Sequence, residues 1–290
     1  MDLFSPPPDP GVLRRKALAA HDVLCAAHGC PVPFFSDKDP LSELVSALLS
    51  HRTRNADSAR AYRQLRERFP TWEGVRDAPT DEVEAAIAPC TWPEQKAPRL
   101  QAVLQAVTDA PETDGLSLDA LAEWPADRAR RWLQRIKGVG PKTSAAVLLF
   151  SRLRMPALPV DSHHHRVAQR LGLIPEALPV GPAHDVLAAF VPDDWDAQQV
   201  YDHHEAFMLH GQTCCRWRAP ACGRCPVYDL CVWEGKGPRR NNVRSNKEQG
   251  GTPIPRPPCR SSAPRSTTST PASSTAISSA PSRTTTPTTS

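Results

Sequence analysis

From position 12 to about 230, apolar residues recur with the period of a helix. Between Val12 and His28 the apolar residues Val12, Leu13, Leu18, Val23 and Leu24 fall on one stripe. Pro31-Val-Pro-Phe-Phe35 interrupts it. Asp39-Pro40 reads as an N-cap followed by proline in the first helical position, opening a helix over Leu41–Leu49. The same period predicts helices over 56–69, 81–87, 94–107, 117–122 and 125–136. An apolar helix follows over 144–153, and another ends near Leu171-Gly172. No alternating run supports a strand. The pattern predicts an all-α fold.

The pattern stops near Gly235. Beyond it the chain is mostly Ser, Thr, Pro and Arg, without Leu or Phe. Such a segment buries too little apolar surface to offset its ordering entropy, so 235–290 reads as a disordered tail. This split changes the meaning of the net charge of +4. Nine of the 35 Lys and Arg lie in the tail, opposed there by Glu248 alone, so the rest of the chain holds 26 basic and 30 acidic residues. Bulk charge therefore gives no case for a nucleic-acid-binding core, and any such case must rest on individual positions. No signal peptide and no apolar stretch long enough to cross a bilayer is visible, so a cytoplasmic protein, nucleoid-associated if bacterial, is expected. Nine cysteines in a reducing compartment suggest metal or cluster binding rather than a disulfide framework. Cys25, Cys30 and Cys90 read as ordinary buried thiols, and Cys259 as a tail residue.

The most informative stretch is Ile136-Lys-Gly-Val-Gly-Pro-Lys-Thr143. Gly138 and Gly140 permit positive φ in a tight turn between two helices. Such a turn aims bare N–H groups outward, a geometry that binds phosphate without reading sequence; an ordinary helix–turn–helix corner is the plain alternative. Lys142 stands at the start of the next helix, where the dipole should lower its pKa, and a neutral amine is what Schiff-base chemistry needs. Asp161, in Val160-Asp-Ser-His163, could be only a helix N-cap, but capping and chemistry do not exclude each other.

These two segments together resemble the helix-hairpin-helix glycosylases, specifically the endonuclease III family, over roughly Asp39–Cys231. The resemblance implies that Lys142 and Asp161 are catalytic, with Ser162 standing where threonine is usual. It implies DNA base-excision repair: a glycosylase with abasic-site lyase activity, acting on oxidised pyrimidines and abasic sites in double-stranded DNA, as a monomer. It also implies two helical lobes. One is a six-helix barrel module with the hairpin, over 38–155; the other is a cluster module built from 12–37 and 156–234.

Cys215, Cys222, Cys225 and Cys231 form C-x6-C-x2-C-x5-C. Four soft thiolates in a short loop suit a [4Fe–4S] cluster or a structural zinc. The resemblance favours the [4Fe–4S] cluster, with Cys215 rather than its neighbour Cys214 as first ligand. Arg218 falls on a basic, DNA-facing position of the family loop, whereas Ala219 and Ala221 replace other cations there. Arg52, in Leu48-Leu-Ser-His-Arg-Thr-Arg-Asn55, takes the place of a glutamine that fills the gap left by a flipped base; as an unmatched arginine at a helix C-terminus it would merely suit the dipole. The run His163–His165 cannot easily share one ion, since adjacent helical residues diverge. His163 is the family-matched member, expected near the lesion or supporting Asp161. Two rival readings are a mismatch glycosylase without lyase activity, against which Lys142 argues, and a non-catalytic iron–sulfur DNA-binding protein.

Overall fold

The computed structural model describes residues 9–239, and all but the first five residues of the expected tail lie outside that range. Among the described residues there are eleven α-helices and no strand: α1 (Pro10–His28), α2 (Pro40–Ser50), α3 (Asn55–Arg68), α4 (Trp72–Asp77), α5 (Thr80–Ala86), α6 (Pro93–Thr108), α7 (Ala126–Leu133), α8 (Pro141–Phe150), α9 (Ser162–Arg170), α10 (Val180–Ala188) and α11 (Ala197–Thr213). None is long and apolar enough to cross a membrane. Local chemistry sets many of their ends. Asp39 accepts a hydrogen bond from Ser42 N at 2.9 Å and Pro40 opens α2. Asp196 and Gln199 form a reciprocal capping box on α11. Gly29 closes α1 with φ +83°.

Two apolar clusters organise these helices. The first joins α2 to α7 around Leu44, Leu65, Ile87, Leu104 and Leu133. The second gathers α1, α9, α10 and α11 around Leu24, Val167, Leu187 and Phe207. Helix α8 belongs to both: Ala145, Val147 and Leu148 face the first, Ala146, Leu149 and Phe150 the second. Every residue from Thr143 to Phe150 is buried, the mark of a helix apolar on all sides.

Three expectations need correction. The stretch 117–122 is a 3-10 turn at Asp119–Glu123. Helix α7 stops at Leu133, three residues short of the expected end. Cys25 and Cys30 are not free buried thiols but a disulfide with Cα atoms 5.0 Å apart. The left-handed turn at Gly29 brings the chain back so that the N–H groups of both Gly29 and Cys30 meet the Cys25 carbonyl, at 2.8 and 3.2 Å. Cys90 is buried and free, as expected; Cys259 lies outside the described residues.

Candidate active site and cysteine loop

Lys142 is the second residue of α8, half-buried where its two apolar faces begin. Its pKa is lowered, first by burial; the nearby carboxylates Asp161 and Glu43 pull the other way. Desolvation is the largest influence moving the amine toward neutrality. Asp161 caps α9, accepting from His163 N at 2.9 Å and His164 N at 2.7 Å. The cap fixes the carboxylate at the head of its helix while it remains electrostatically coupled to Lys142.

Other groups complete this cluster, and their roles escaped the sequence. Glu43 is buried in α2, takes a hydrogen bond from Ser36 Oγ at 3.0 Å and pairs with Lys38 at 3.5 Å. His51 Nε2 lies 3.0 Å from Thr143 Oγ1, and burial together with the Lys142 charge pushes its pKa down to about 4. On α11, Glu205 is buried beside Asp161 and Asp202, with its pKa pushed up to about 7 mainly by burial. A carboxylate inside Leu41-Ser-Glu-Leu-Val45 was the available signal for Glu43, since a charge on an apolar helix demands a partner.

The hairpin between α7 and α8 is anchored by buried Ile136 and Val139. Only Gly138 has positive φ, at +100°; Gly140 is extended at φ −93°, which corrects the expectation for both. A Cβ on Gly138 would also sit 3.2 Å from Arg99 Cδ, whereas one on Gly140 would meet nothing within 4 Å. No side chain caps α8, so its first N–H groups are free to meet an anion beyond Gly140.

Arg52 and Trp92, both non-glycine residues with positive φ (+51° and +55°), face each other with the guanidinium 5.8 Å from the indole centroid. With His51, Gln95, Lys96 and Arg99 they line a cavity of about 330 Å³. Lys96, 9% exposed, holds one wall. Its Nζ donates to Leu49 O at 2.7 Å, His51 O at 2.8 Å and Thr53 Oγ1 at 2.7 Å. The ammonium thus takes up free carbonyls at the end of α2 and pins both neighbours of Arg52, which keeps Arg52 in a sparsely populated backbone region.

The cysteine loop docks on α9. Arg166 donates to Cys215 O at 2.9 Å, Gly211 O at 2.7 Å and His163 Nδ1 at 3.1 Å. One turn later Arg170 reaches Cys215 Sγ at 3.3 Å and Arg216 O at 2.9 Å. Gly211 is required here, because a Cβ would lie 2.8 Å from His163 Cβ. His163 therefore supports Asp161 through its backbone and the loop through its ring. His164 stacks on Phe207 at 4.6 Å and His165 Nε2 meets Leu178 O at 2.8 Å, so the three histidines share no ion. Arg218 is exposed.

Cys215, Cys222, Cys225 and Cys231 line one cavity, closed by Tyr228, Trp233 and Pro220. Converging soft sulfurs, an apolar wall and the Arg170 donor on Cys215 Sγ fit an iron–sulfur cluster, whose thiolates such hydrogen bonds stabilise. Cys214 lines the same cavity.

Residues 45–182 match the model of the HhH-GPD superfamily of base excision DNA repair proteins. Endonuclease III of Thermotoga maritima is 28% identical over 211 residues, covering 71% of this chain and 91% of its own. Endonuclease III of Bacillus subtilis is 27% identical over 194 residues, covering 67% of this chain and 81% of its own. A solved structure of a trapped endonuclease III–DNA covalent intermediate superposes with TM-score 0.63 at 22% identity, covering 76% of this chain and 95% of that one, a likeness of fold.

Proposed function

We propose that the chain, whose residues 45–182 match the HhH-GPD superfamily of base excision DNA repair proteins and which is similar to endonuclease III of Thermotoga maritima, is a DNA glycosylase of the endonuclease III family that also cleaves abasic sites. The observation that carries the lyase reading is the half-buried Lys142 amine, its pKa lowered by desolvation, beside the Asp161 carboxylate.

The free N–H groups at the head of α8 and the Gly138 turn grip a backbone phosphate. Arg52, held by Lys96 and flanked by Trp92, enters the gap left by the extruded nucleotide, and Arg218 meets the duplex from the cysteine loop. Neutral Lys142 Nζ attacks C1′ of the extruded nucleotide, and the base leaves with the electron pair of its glycosidic bond. The Asp161 carboxylate stabilises the positive charge that develops on the sugar. The amine gives up one proton, the ring oxygen takes one up as the C1′–O4′ bond breaks, and a protonated Schiff base remains. Loss of the C2′ proton then expels the 3′ phosphate by β-elimination, and water returns Lys142 to its free form. Oxidised pyrimidines and abasic sites in double-stranded DNA are the proposed substrates.

A [4Fe–4S] cluster on Cys215, Cys222, Cys225 and Cys231 would fasten the loop to α9 and so steady Asp161, with no redox step in the reaction. The division into a hairpin lobe over 38–155 and a cluster lobe over 12–37 and 156–234 is proposed on the same footing.

Borohydride trapping on an abasic duplex tests the reading. A covalent adduct that disappears in Lys142→Ala is expected. No adduct in the parent protein, or one undiminished in the variant, refutes the lyase assignment.

A further inference from the structure

A second metal-binding geometry overlaps the four-thiol cavity, sharing Cys214 and Cys225 with its lining. An imidazole nitrogen of His210 and the sulfurs of Cys214 and Cys225 all lie within 4.8 Å of one another. His210 Nε2 stands 3.6 Å from Cys225 Sγ. Among the described residues this is the one such trio of metal-ligating side chains. A tetrahedral zinc ion, with bonds of about 2.3 Å to sulfur and about 2.0 Å to nitrogen, draws its ligand atoms to within about 3.5–3.8 Å of each other. A cubane cluster instead places each thiolate on its own iron, so its sulfurs stand farther apart. The trio is within a small adjustment of the spacing of a single ion, and its two cysteines also line the four-thiol cavity.

The trio is also screened from water. His210 is 1% exposed and Cys214 8%, so both are almost wholly withdrawn from solvent. Nε2 is the ring nitrogen of His210 that faces Cys225. The backbone holds the pair ready: the N–H groups of Cys214 and Cys215 both donate to His210 O, at 2.9 and 2.8 Å, as α11 ends.

We propose that, when the four-thiol cluster is absent, the loop takes up a single Zn²⁺ on His210, Cys214 and Cys225, with water in the fourth tetrahedral position. Binding releases the two thiol protons to solvent. Cys225 belongs to both ligand sets, so cluster and zinc exclude each other. The zinc state would keep the loop ordered against Arg166 and Arg170 while iron is lacking.

The test uses the full-length chain freed of iron by anaerobic chelation and titrated with Co²⁺, whose tetrahedral thiolate complexes absorb visibly, followed by competition with Zn²⁺. One Co²⁺ per chain is expected. Cys214→Ser and His210→Phe should each weaken uptake at least tenfold, and Cys215→Ser and Cys231→Ser should leave it unchanged. Reconstitution with iron and sulfide should invert the pattern, with Cys215→Ser losing the brown chromophore and Cys214→Ser keeping it. Should His210→Phe lose its helical circular dichroism, Cys214→Ser decides alone. No Co²⁺ uptake, or uptake lost equally in Cys215→Ser, overturns the proposal, and neither outcome touches the borohydride result at Lys142.

Discussion

Replacing Lys96 by methionine keeps the apolar stem but removes the charge that holds the end of α2. Three acceptors lose their donor: Leu49 O, His51 O and Thr53 Oγ1. The Leu49 carbonyl is buried, and its remaining donor is the weak Cys90 thiol at 3.5 Å, so its loss costs about 1–3 kcal/mol. The other two are partly accessible and water can replace the ammonium there, at about 1 kcal/mol each. The ammonium was itself desolvated, as its lowered pKa shows, and removing it returns part of the sum. The net loss should be about 2–4 kcal/mol, read as a fall of about 1 M or more in the urea midpoint. The chemical effect should be selective. With both neighbours of Arg52 released, nothing holds its left-handed backbone, and excision of a damaged base from duplex DNA should fall about tenfold, or about 1.4 kcal/mol. Borohydride trapping on a single-stranded abasic oligonucleotide, which has no stack to open, should be spared. A midpoint within about 0.2 M of the parent protein, or equal losses on both substrates, would refute the idea that Lys96 positions Arg52.

Asp161→Asn should retain the cap on α9 and the urea midpoint but lose most base excision, whereas Asp161→Ala should lose excision and about 1 kcal/mol of stability as well; a fully active Asp161→Asn protein would reduce the carboxylate to a cap. Gly138→Ala forces a side chain into φ +100° and against Arg99, and should cost about 1–3 kcal/mol. Gly140→Ala has open space and ordinary φ, so its stability should hold while affinity for undamaged duplex drops; filter binding and urea melts separate the two. Glu205 binds a proton more tightly folded, at about 7, than its ordinary value of 4.5. The folded state thus holds more protons across that interval, and stability should fall as pH rises from about 4.5 through about 7. Glu205→Gln should flatten that slope, and an unchanged pH profile would show that the group titrates normally.

Much of the site was legible because its markers are local. Asp39-Pro40 announces α2 through two adjacent residues, and the hairpin places Lys142 within a few positions of Gly138. Asp161 capping α9 likewise needs only the residues that follow it. What the sequence hid depends on distant partners. Lys96 meets acceptors more than 40 residues away, and Glu205 acquires its raised pKa only when packing buries it on α11. The six-residue helix α4 carries too short a period to detect; its sign is Thr71 accepting from Gly74 N at 3.1 Å. The Cys25–Cys30 bridge is hidden because a reducing compartment argues for free thiols, while the Gly29 turn that joins the two residues shows only in the backbone. Gly140 was grouped with Gly138 by motif, although backbone geometry separates them.

Helix α8 has no side to spare: from Ala145 on, each residue answers to one apolar cluster or the other. A chimera that grafts the hairpin half of a relative onto this chain's remaining half would therefore need a segment 145–150 matched to both parents at once. Mismatch on either side would tilt the helix and carry the Lys142 amine away from the sugar, leaving a protein that folds and holds DNA yet turns over slowly.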